Sequence, residues 1–211
     1  MNKEGGLLEN IIDNFQIGEI KNYRINRELR RLDESRYIII KDFSLDHKRK
    51  RNIDYIILSD HGIFIIKEKR KRGIIFGYDK DYFWNEKSLL GTHKFFNPII
   101  ENYERINDLK RIINSVKPLF YYNVILFTKN PEIYVEQTVE NESNVITTLD
   151  KLVEIIEDTN RLNKSYINKK DVFNKIIEHH EQVRDGMRDI IGGAVKESEN
   201  NVIRNIINRV S

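Results

Sequence analysis

The chain contains no cysteine, which excludes both a disulfide framework and a thiolate metal site. Long apolar runs are also absent: none approaches the ~20 residues of a membrane span, and residues 1–9 lack the apolar core of a signal peptide. Neither Gly5-Gly6 nor Gly192-Gly193 has the flanking Lys and Ser or Thr of a phosphate-binding loop. We therefore expect a cytoplasmic protein without a membrane segment.

Charged residues make up 33% of the 211 positions, but the two signs are unevenly distributed. Between Ser44 and Lys94 there are 12 Lys and Arg against 7 Asp and Glu, a net charge of +5. Between Pro131 and Asn200 there are 9 against 15, a net charge of −6. A basic region followed by an acidic one indicates that a polyanion contacts only one face of the protein.

A predicted β-hairpin forms the centre of the basic region. Its strands, Ile53–Ser59 and Ile63–Ile66, are rich in β-branched residues and are separated by the turn Asp60-His61-Gly62. Both strands are apolar at nearly every position, which predicts that other elements cover them on both faces.

Charged side chains interrupt the apolar pattern near the ends of these two strands. They are Asp54 in the first strand and Lys67, Glu68 and Lys69 at the end of the second. A buried carboxylate or ammonium costs several kcal/mol of desolvation unless it is paired or binds a metal. The residues are therefore either a structural ion pair or part of a functional site.

Apolar periodicity predicts the elements around the hairpin. Asn97 is positioned to cap a helix that has Pro98 at its first position and extends to Val116. A helix is predicted over 17–32, strands over 37–41 and 121–128, and a short meander over 74–84 whose Trp84 packs onto the sheet. The order strand–helix–strand predicts an α/β fold, a sheet flanked by helices.

The chain divides into three predicted segments. Residues 1–160 form the core with its N-terminal helices, 161–170 form a polar linker, and 171–211 form a helical appendage. Two interpretations of the appendage are open: its helices fold back on the domain, or they bind a second copy or a partner protein. The second interpretation rests on a heptad pattern, in which apolar and seam residues recur at steps of four, three, four and three: Ile176, His180, Val183, Met187 and Ile190.

The core resembles the nuclease-related domain family, a branch of the PD-(D/E)xK or restriction-endonuclease-like nucleases, from about Gly18 to Asp150. The resemblance implies a restriction-endonuclease-like mixed central sheet flanked by helices. The segments that carry it are Gly18-Glu19, Ile53-Asp54, Gly62-Ile63-Phe64-Ile65-Ile66, Lys69, Gly73, Ile75-Phe76-Gly77, Trp84, Asn97-Pro98-Ile99, Tyr103 and Val124-Ile125-Leu126-Phe127.

The resemblance also implies a site for metal-dependent cleavage of DNA. It places Glu19 and Asp54 at a Mg²⁺ or Mn²⁺ ion and Lys69 beside the attacking water. Carboxylate oxygens suit Mg²⁺, and the metal and the lysine stabilise charge that builds up on the phosphodiester. Two basic runs are expected to hold backbone phosphates without reading sequence: Lys48, Arg49, Lys50 and Arg51, and Arg70, Lys71 and Arg72.

The sequence departs from the family pattern at two positions. Lys67 stands where the family has a glutamate, and Glu101 stands where the family typically has a glutamine in the helix. Glu101 could supply the ligand that Lys67 removes, or Lys67 could pair with Asp54 or Glu101 and place an ammonium at the metal position. The expected function is accordingly metal-dependent DNA cleavage or a descendant of it with an impaired site. The alternatives are a non-catalytic nucleic-acid-binding module or an assembly component that acts through 171–211, for example as a homodimer.

Overall fold

The computed structural model describes residues 23–46, 52–114, 119–138, 143–163 and 166–184. The helices are α1 (Tyr23–Leu29), α2 (Pro98–Ile113), α3 (Leu152–Leu162), which follows a 3₁₀ turn (Leu149–Lys151), and α4 (169–184). The strands are β1 (Ile38–Ser44), β2 (Asn52–Leu58), β3 (Ile63–Lys69), β4 (Ile74–Tyr78), β5 (Phe83–Ser88), β6 (Gly91–Phe96), β7 (Tyr121–Phe127), β8 (Glu132–Glu136) and β9 (Asn144–Thr148).

A mixed five-stranded sheet in the order β1-β2-β3-β7-β9 forms the centre of the domain. The first three strands are antiparallel, and β3, β7 and β9 are parallel. The predicted hairpin is β2 and β3. Its turn is closed by Ser59, whose hydroxyl donates to the carbonyl of Gly62 and accepts from the N–H groups of His61 and Gly62.

Helices cover both faces of this sheet. On one face, α1 and α3 bury Leu29 and Ile156 against Phe64 and Ile66 of β3. On the other face, α2 and α4 pack against the alternate residues of the same strand, such as Ile65. Because both faces are covered, the central strands are apolar at consecutive positions. The predicted α/β architecture, a mixed central sheet flanked by helices, is confirmed.

A second sheet of four strands, in the order β6-β5-β4-β8, lies beside the first. Its inner face is buried on β7 and the start of α2, where Trp84 and Ile75 contact Ile99, Ile125 and Phe127. The indole N–H of Trp84 donates to the carbonyl of Tyr78 at 2.8 Å. The prediction that Trp84 packs onto a sheet is confirmed.

Two strands of the second sheet were not predicted from the sequence. β6 (Gly91–Phe96) is exposed over its first four residues, and its Gly, Thr, His and Lys do not alternate with apolar residues. β8 (Glu132–Glu136) alternates, but only Ile133 and Val135 face the core. The second strand of the meander predicted over 74–84 lies at Phe83–Ser88.

Helix α4 packs on the domain core. Val172, Phe173 and Ile176 are buried in the same cluster as Ile106 and Leu109 of α2. Two of the predicted heptad positions, Ile176 and Val183, are thus buried within the chain itself, which favours the fold-back interpretation for 171–184.

The predicted linker 161–170 is attached to the domain at several points. Ile167 is buried and donates its N–H to the carbonyl of Asp60, and the amide of Asn163 donates to the carbonyl of His61. Lys169 forms an ion pair with Asp60 at 3.0 Å. Residues 185–211, with Met187 and Ile190, lie outside the described residues, and both the domain boundaries and the oligomeric appendage stay predictions. Among the helices that the structure describes, none has the length and apolarity to cross a membrane.

Candidate active site

Asp54 and Lys67 lie opposite each other on the two central antiparallel strands. The last pair in the β2–β3 register is Tyr55 with Ile66, and the next two opposed positions are Asp54 and Lys67. Side chains alternate between the faces of a strand, so Lys67 and Lys69 follow Ile65 onto the face covered by α2. The ammonium of Lys67 lies 3.3 Å from the Asp54 carboxylate.

Glu101 reaches the same place from the first turn of α2. The helix starts where predicted, because the side chain of Asn97 accepts the N–H of Ile99 at 2.9 Å and Pro98 follows it. A carboxylate in the first turn is also favoured by the helix dipole. Glu101 lies 2.5 Å from the Lys69 ammonium and 3.7 Å from the Lys67 ammonium.

Arg105 completes this cluster and was not predicted. Its guanidinium lies 3.1 Å from the Glu101 carboxylate and also donates to the backbone carbonyls of Glu101 and Asn52. An arginine four residues after a glutamate on a helix faces it, so the Glu101–Arg105 spacing was the signal that could have found this residue.

We call the five residues Asp54, Lys67, Lys69, Glu101 and Arg105 the charge cluster. Its two carboxylates and three cations give a net charge of +1, and its side chains are between 15% and 25% exposed. Lys67 is the cation within ion-pair distance of both carboxylates, 3.3 Å from one and 3.7 Å from the other. The ammonium is therefore paired with two of the three acids that were predicted to bind a metal.

The pKa of Glu101 lies below its usual value. Burial by itself raises the pKa of this carboxyl, but the hydrogen bond from Lys69 and the charges of Lys69, Lys67 and Arg105 outweigh that effect. Glu101 is thus ionised at neutral pH, and its charge is balanced inside the protein.

Glu68 points to the opposite face of β3, as strand alternation predicts. Its carboxylate binds Arg70 at 2.9 Å and accepts the hydroxyl of Thr128 at 3.1 Å. Its backbone reaches the cluster, where its N–H donates to the Asp54 carboxylate at 2.8 Å. Glu68 therefore does not replace the glutamate that Lys67 displaces.

The five residues of the charge cluster do not by themselves offer the ligand set of a divalent ion. No group of three or more acidic or histidine side chains that could hold a metal occurs among the described residues. Mg²⁺ requires near-octahedral oxygen coordination, and here an ammonium lies within 4 Å of both Asp54 and Glu101. Glu19 lies outside the described residues, and its part in a Mg²⁺ or Mn²⁺ site stays a prediction.

The second basic run follows directly on β3 and is partly neutralised. Arg70 pairs with Glu68, while Lys71 pairs with Glu86 of β5 at 2.9 Å and lies over the ring of Phe95. Arg72 is exposed, and its N–H donates to Glu86. The first basic run, Lys48, Arg49, Lys50 and Arg51, lies outside the described residues.

A central mixed sheet with this charge cluster at the ends of its hairpin strands defines a nuclease-related α/β domain. Residues 16–128 match the model of the nuclease-related domain family. These residues make up more than half of the chain, and the chain belongs to that family.

The similarity of the chain to individual known proteins is low. An uncharacterized protein of Bacillus anthracis is 25% identical over 96 residues, which cover 44% of this chain and 45% of that relative. The chain thus matches less than half of the relative's length. The crystal structure of the small subunit of the heterodimeric restriction endonuclease R.BspD6I is similar at a TM-score of 0.30 and 12% identity, over 88% of this chain and 98% of that one.

Proposed function

We propose that this protein binds the phosphate backbone of DNA. We also propose that the cleavage site of the protein has become a metal-free ion-pair cluster. The observation that carries the proposal is the position of the Lys67 ammonium, within 4 Å of both Asp54 and Glu101. Exchanging a carboxylate for a lysine changes a negative ligand into a positive group that donates no lone pair while protonated. Lys67 therefore acts as an internal counter-ion in place of a metal.

The cluster retains groups that suit a phosphodiester. Its net charge is +1, and Lys67, Lys69 and Arg105 keep between 15% and 19% of their side-chain surface accessible. Lysine and arginine contact backbone phosphates irrespective of base sequence. Arg72 and the run from Lys48 to Arg51 extend this positive charge along the chain. The function that these residues support is non-specific, salt-sensitive binding of DNA.

The second candidate function is metal-dependent cleavage. The observation in its favour is that Asp54 and Glu101 share one cation, as two carboxylates of a metal site do. It requires the Lys67 side chain to leave these carboxylates and move towards phosphate, and Glu19 is the further residue that the family resemblance supplies. The two candidates differ in whether the unmodified chain cleaves DNA.

Cleavage of plasmid and single-stranded DNA in Mg²⁺ or Mn²⁺ separates the candidates. We expect no metal-dependent cleavage by the unmodified chain. Lys67→Glu restores the family's acidic residue and should create cleavage that disappears again when Asp54→Ala is added. Lys170→Glu, the same change of charge at an exposed residue of α4, is the control and should remain inactive. Robust Mg²⁺-dependent cleavage by the unmodified chain, abolished by Asp54→Ala, would establish the second candidate instead.

Binding is measured separately, by anisotropy of a labelled duplex between roughly 50 and 200 mM salt. Replacing Lys48, Arg49, Lys50 and Arg51 together by serine should weaken binding. It should also reduce the slope of log affinity against log salt by about 0.9 for each phosphate that the variant no longer neutralises. An affinity that does not change with salt would refute phosphate-backbone binding.

A further inference from the structure

The outer face of the four-stranded sheet carries a group of exposed aromatic rings. Five aromatic side chains on β4, β5, β6 and β8 are between 37% and 63% exposed. The residues at alternate positions of the same strands point inward and form the buried cluster around Trp84. The exposed rings, which we call the aromatic platform, are Phe76, Tyr78, Phe83, Phe96 and Tyr134.

Strand register places these rings in two neighbouring rows. Phe83 is paired with Phe96, and their ring centroids lie 6.0 Å apart with the planes at 84°. The last pair of β4 with β5 is Phe76 with Asn85. Continuing this register by two residues on each strand brings Tyr78 opposite Phe83 and extends the first row. Phe76 is paired with Tyr134 in the second row. The platform therefore spans all four strands.

Positive charge lies between the platform and the basic loop that follows β3. In the second row, Asn85 is paired with Lys94, and in the next row Lys87 is paired with Ile74. Ile74 directly follows Gly73, the end of the loop that contains Arg70, Lys71 and Arg72. The acidic residues of this face, Glu132 and Glu136, are confined to β8 at the sheet edge. By register, Lys87 and Lys94 thus lie between the end of the basic loop and the first row of rings.

We propose that the aromatic platform binds single-stranded nucleic acid by stacking unpaired bases on its rings, while Lys87 and Lys94 contact the adjoining phosphates. This inference rests on the proposed nucleic-acid binding and names the form of nucleic acid that this face takes. Exposed rings beside a positively charged track are what sequence-tolerant binding of single strands requires, because every base has a π face. The charge that leads from the basic loop to Lys94 is the reason to assign a polyanion to this face.

The test compares three labelled ligands of equal length bound to the full chain: a thymidine strand, the same backbone with abasic sites, and a duplex. We expect the thymidine strand to bind more tightly than the abasic strand. Replacing Phe83 and Phe96 together by leucine keeps the face apolar but removes two of the five rings, the pair that is in contact in the first row. This variant should bind the thymidine strand about tenfold or more weakly and the duplex almost unchanged. Tyr166→Leu, which removes a ring that is 78% exposed elsewhere, is the control and should have no effect.

The outcomes distinguish this inference from the proposed function. If the double leucine variant binds the thymidine strand as the unmodified chain does, or if abasic and thymidine strands bind equally, the platform does not stack bases, whatever the duplex does. If duplex binding is absent while base-dependent strand binding is present, the platform stands and backbone binding of duplex DNA fails. If light scattering shows a dimer that Phe83→Asp converts to a monomer, with strand binding unchanged, the face is an interface between two copies and the inference is wrong.

Discussion

Replacing Glu101 with glutamine tests whether the charge cluster stabilises the fold. Glutamine has nearly the same shape, so the change removes the negative charge with little repacking. Glu101 is the carboxylate that Lys67, Lys69 and Arg105 share. Without its charge, Asp54 is the one carboxylate left in the cluster, and the net charge of the cluster rises from +1 to +2.

The magnitude follows from how far these side chains are removed from water. An exposed ion pair contributes roughly 0.2–1 kcal/mol, and removing one partner of a buried pair costs roughly 3–5 kcal/mol. The Glu101 side chain is 24% exposed and its partners are 15–19% exposed, so the cost lies between these limits. We expect Glu101→Gln to lower the free energy of unfolding by about 2 kcal/mol.

Asp108 on the same helix offers a matched control. It is 23% exposed, which is close to the value for Glu101, and it is paired at 2.7 Å with Arg111, which is 78% exposed. Asp108→Asn should therefore cost about 0.5 kcal/mol or less. With a urea dependence of about 2 kcal/mol/M, Glu101→Gln should lower the urea midpoint by about 1 M and Asp108→Asn by about 0.25 M or less.

Urea unfolding, followed by far-ultraviolet circular dichroism and by the fluorescence of Trp84, measures both midpoints and checks that the two probes coincide. Equal midpoints for the two variants would refute the reasoning. That result would mean that the cluster contributes no more than a surface ion pair, and that the position of Lys67 between the carboxylates is energetically unimportant.

Three further predictions rest on single residues. Because the pKa of Glu101 is lower in the folded chain, its contribution to the free energy of unfolding is present above the unfolded pKa and disappears as pH falls through the folded pKa. The difference in stability between the unmodified chain and Glu101→Gln should therefore shrink in acid. A difference that does not change with pH would contradict this. Asn97→Ala should lower the free energy of unfolding in urea by about 3 kcal/mol, because it removes the side-chain cap of α2 and the amide that donates to the carbonyls of Asp79 and Asp81. A cost below about 1 kcal/mol would show that water replaces these hydrogen bonds. Gly73→Ala should lower the melting temperature more than Gly91→Ala does. Both glycines have a positive φ, but a Cβ added at Gly73 would lie 2.2 Å from the Lys87 carbonyl oxygen, whereas a Cβ added at Gly91 would have nothing within 4 Å. Equal decreases would show that only the backbone angle φ matters.

The elements predicted correctly are those whose signals are local. Ile53–Ser59 and Ile63–Ile66 are apolar at consecutive positions because both faces are covered, and few structures other than a central strand accommodate that pattern. Asn97 and Pro98 determine the start of α2 through their own backbone and side-chain chemistry. Alternation along β3 was enough to place Lys67 and Lys69 on one face and Glu68 on the other. The strands β6 and β8 were missed because they are exposed and little of their sequence is apolar.

The arrangement of charges in the cluster depended on the tertiary structure. Asp54 and Glu101 are 47 positions apart in the sequence, and only the packing of α2 across β2 and β3 brings both carboxylates to the Lys67 ammonium. The residue types left two arrangements open, a metal held by the helix glutamate or an ammonium in its place, because both satisfy the same charges. Distances of 3.3 and 3.7 Å from one ammonium to the two acids support the ammonium arrangement, and a sequence by itself contains no distances between separate elements, on which ion pairing depends.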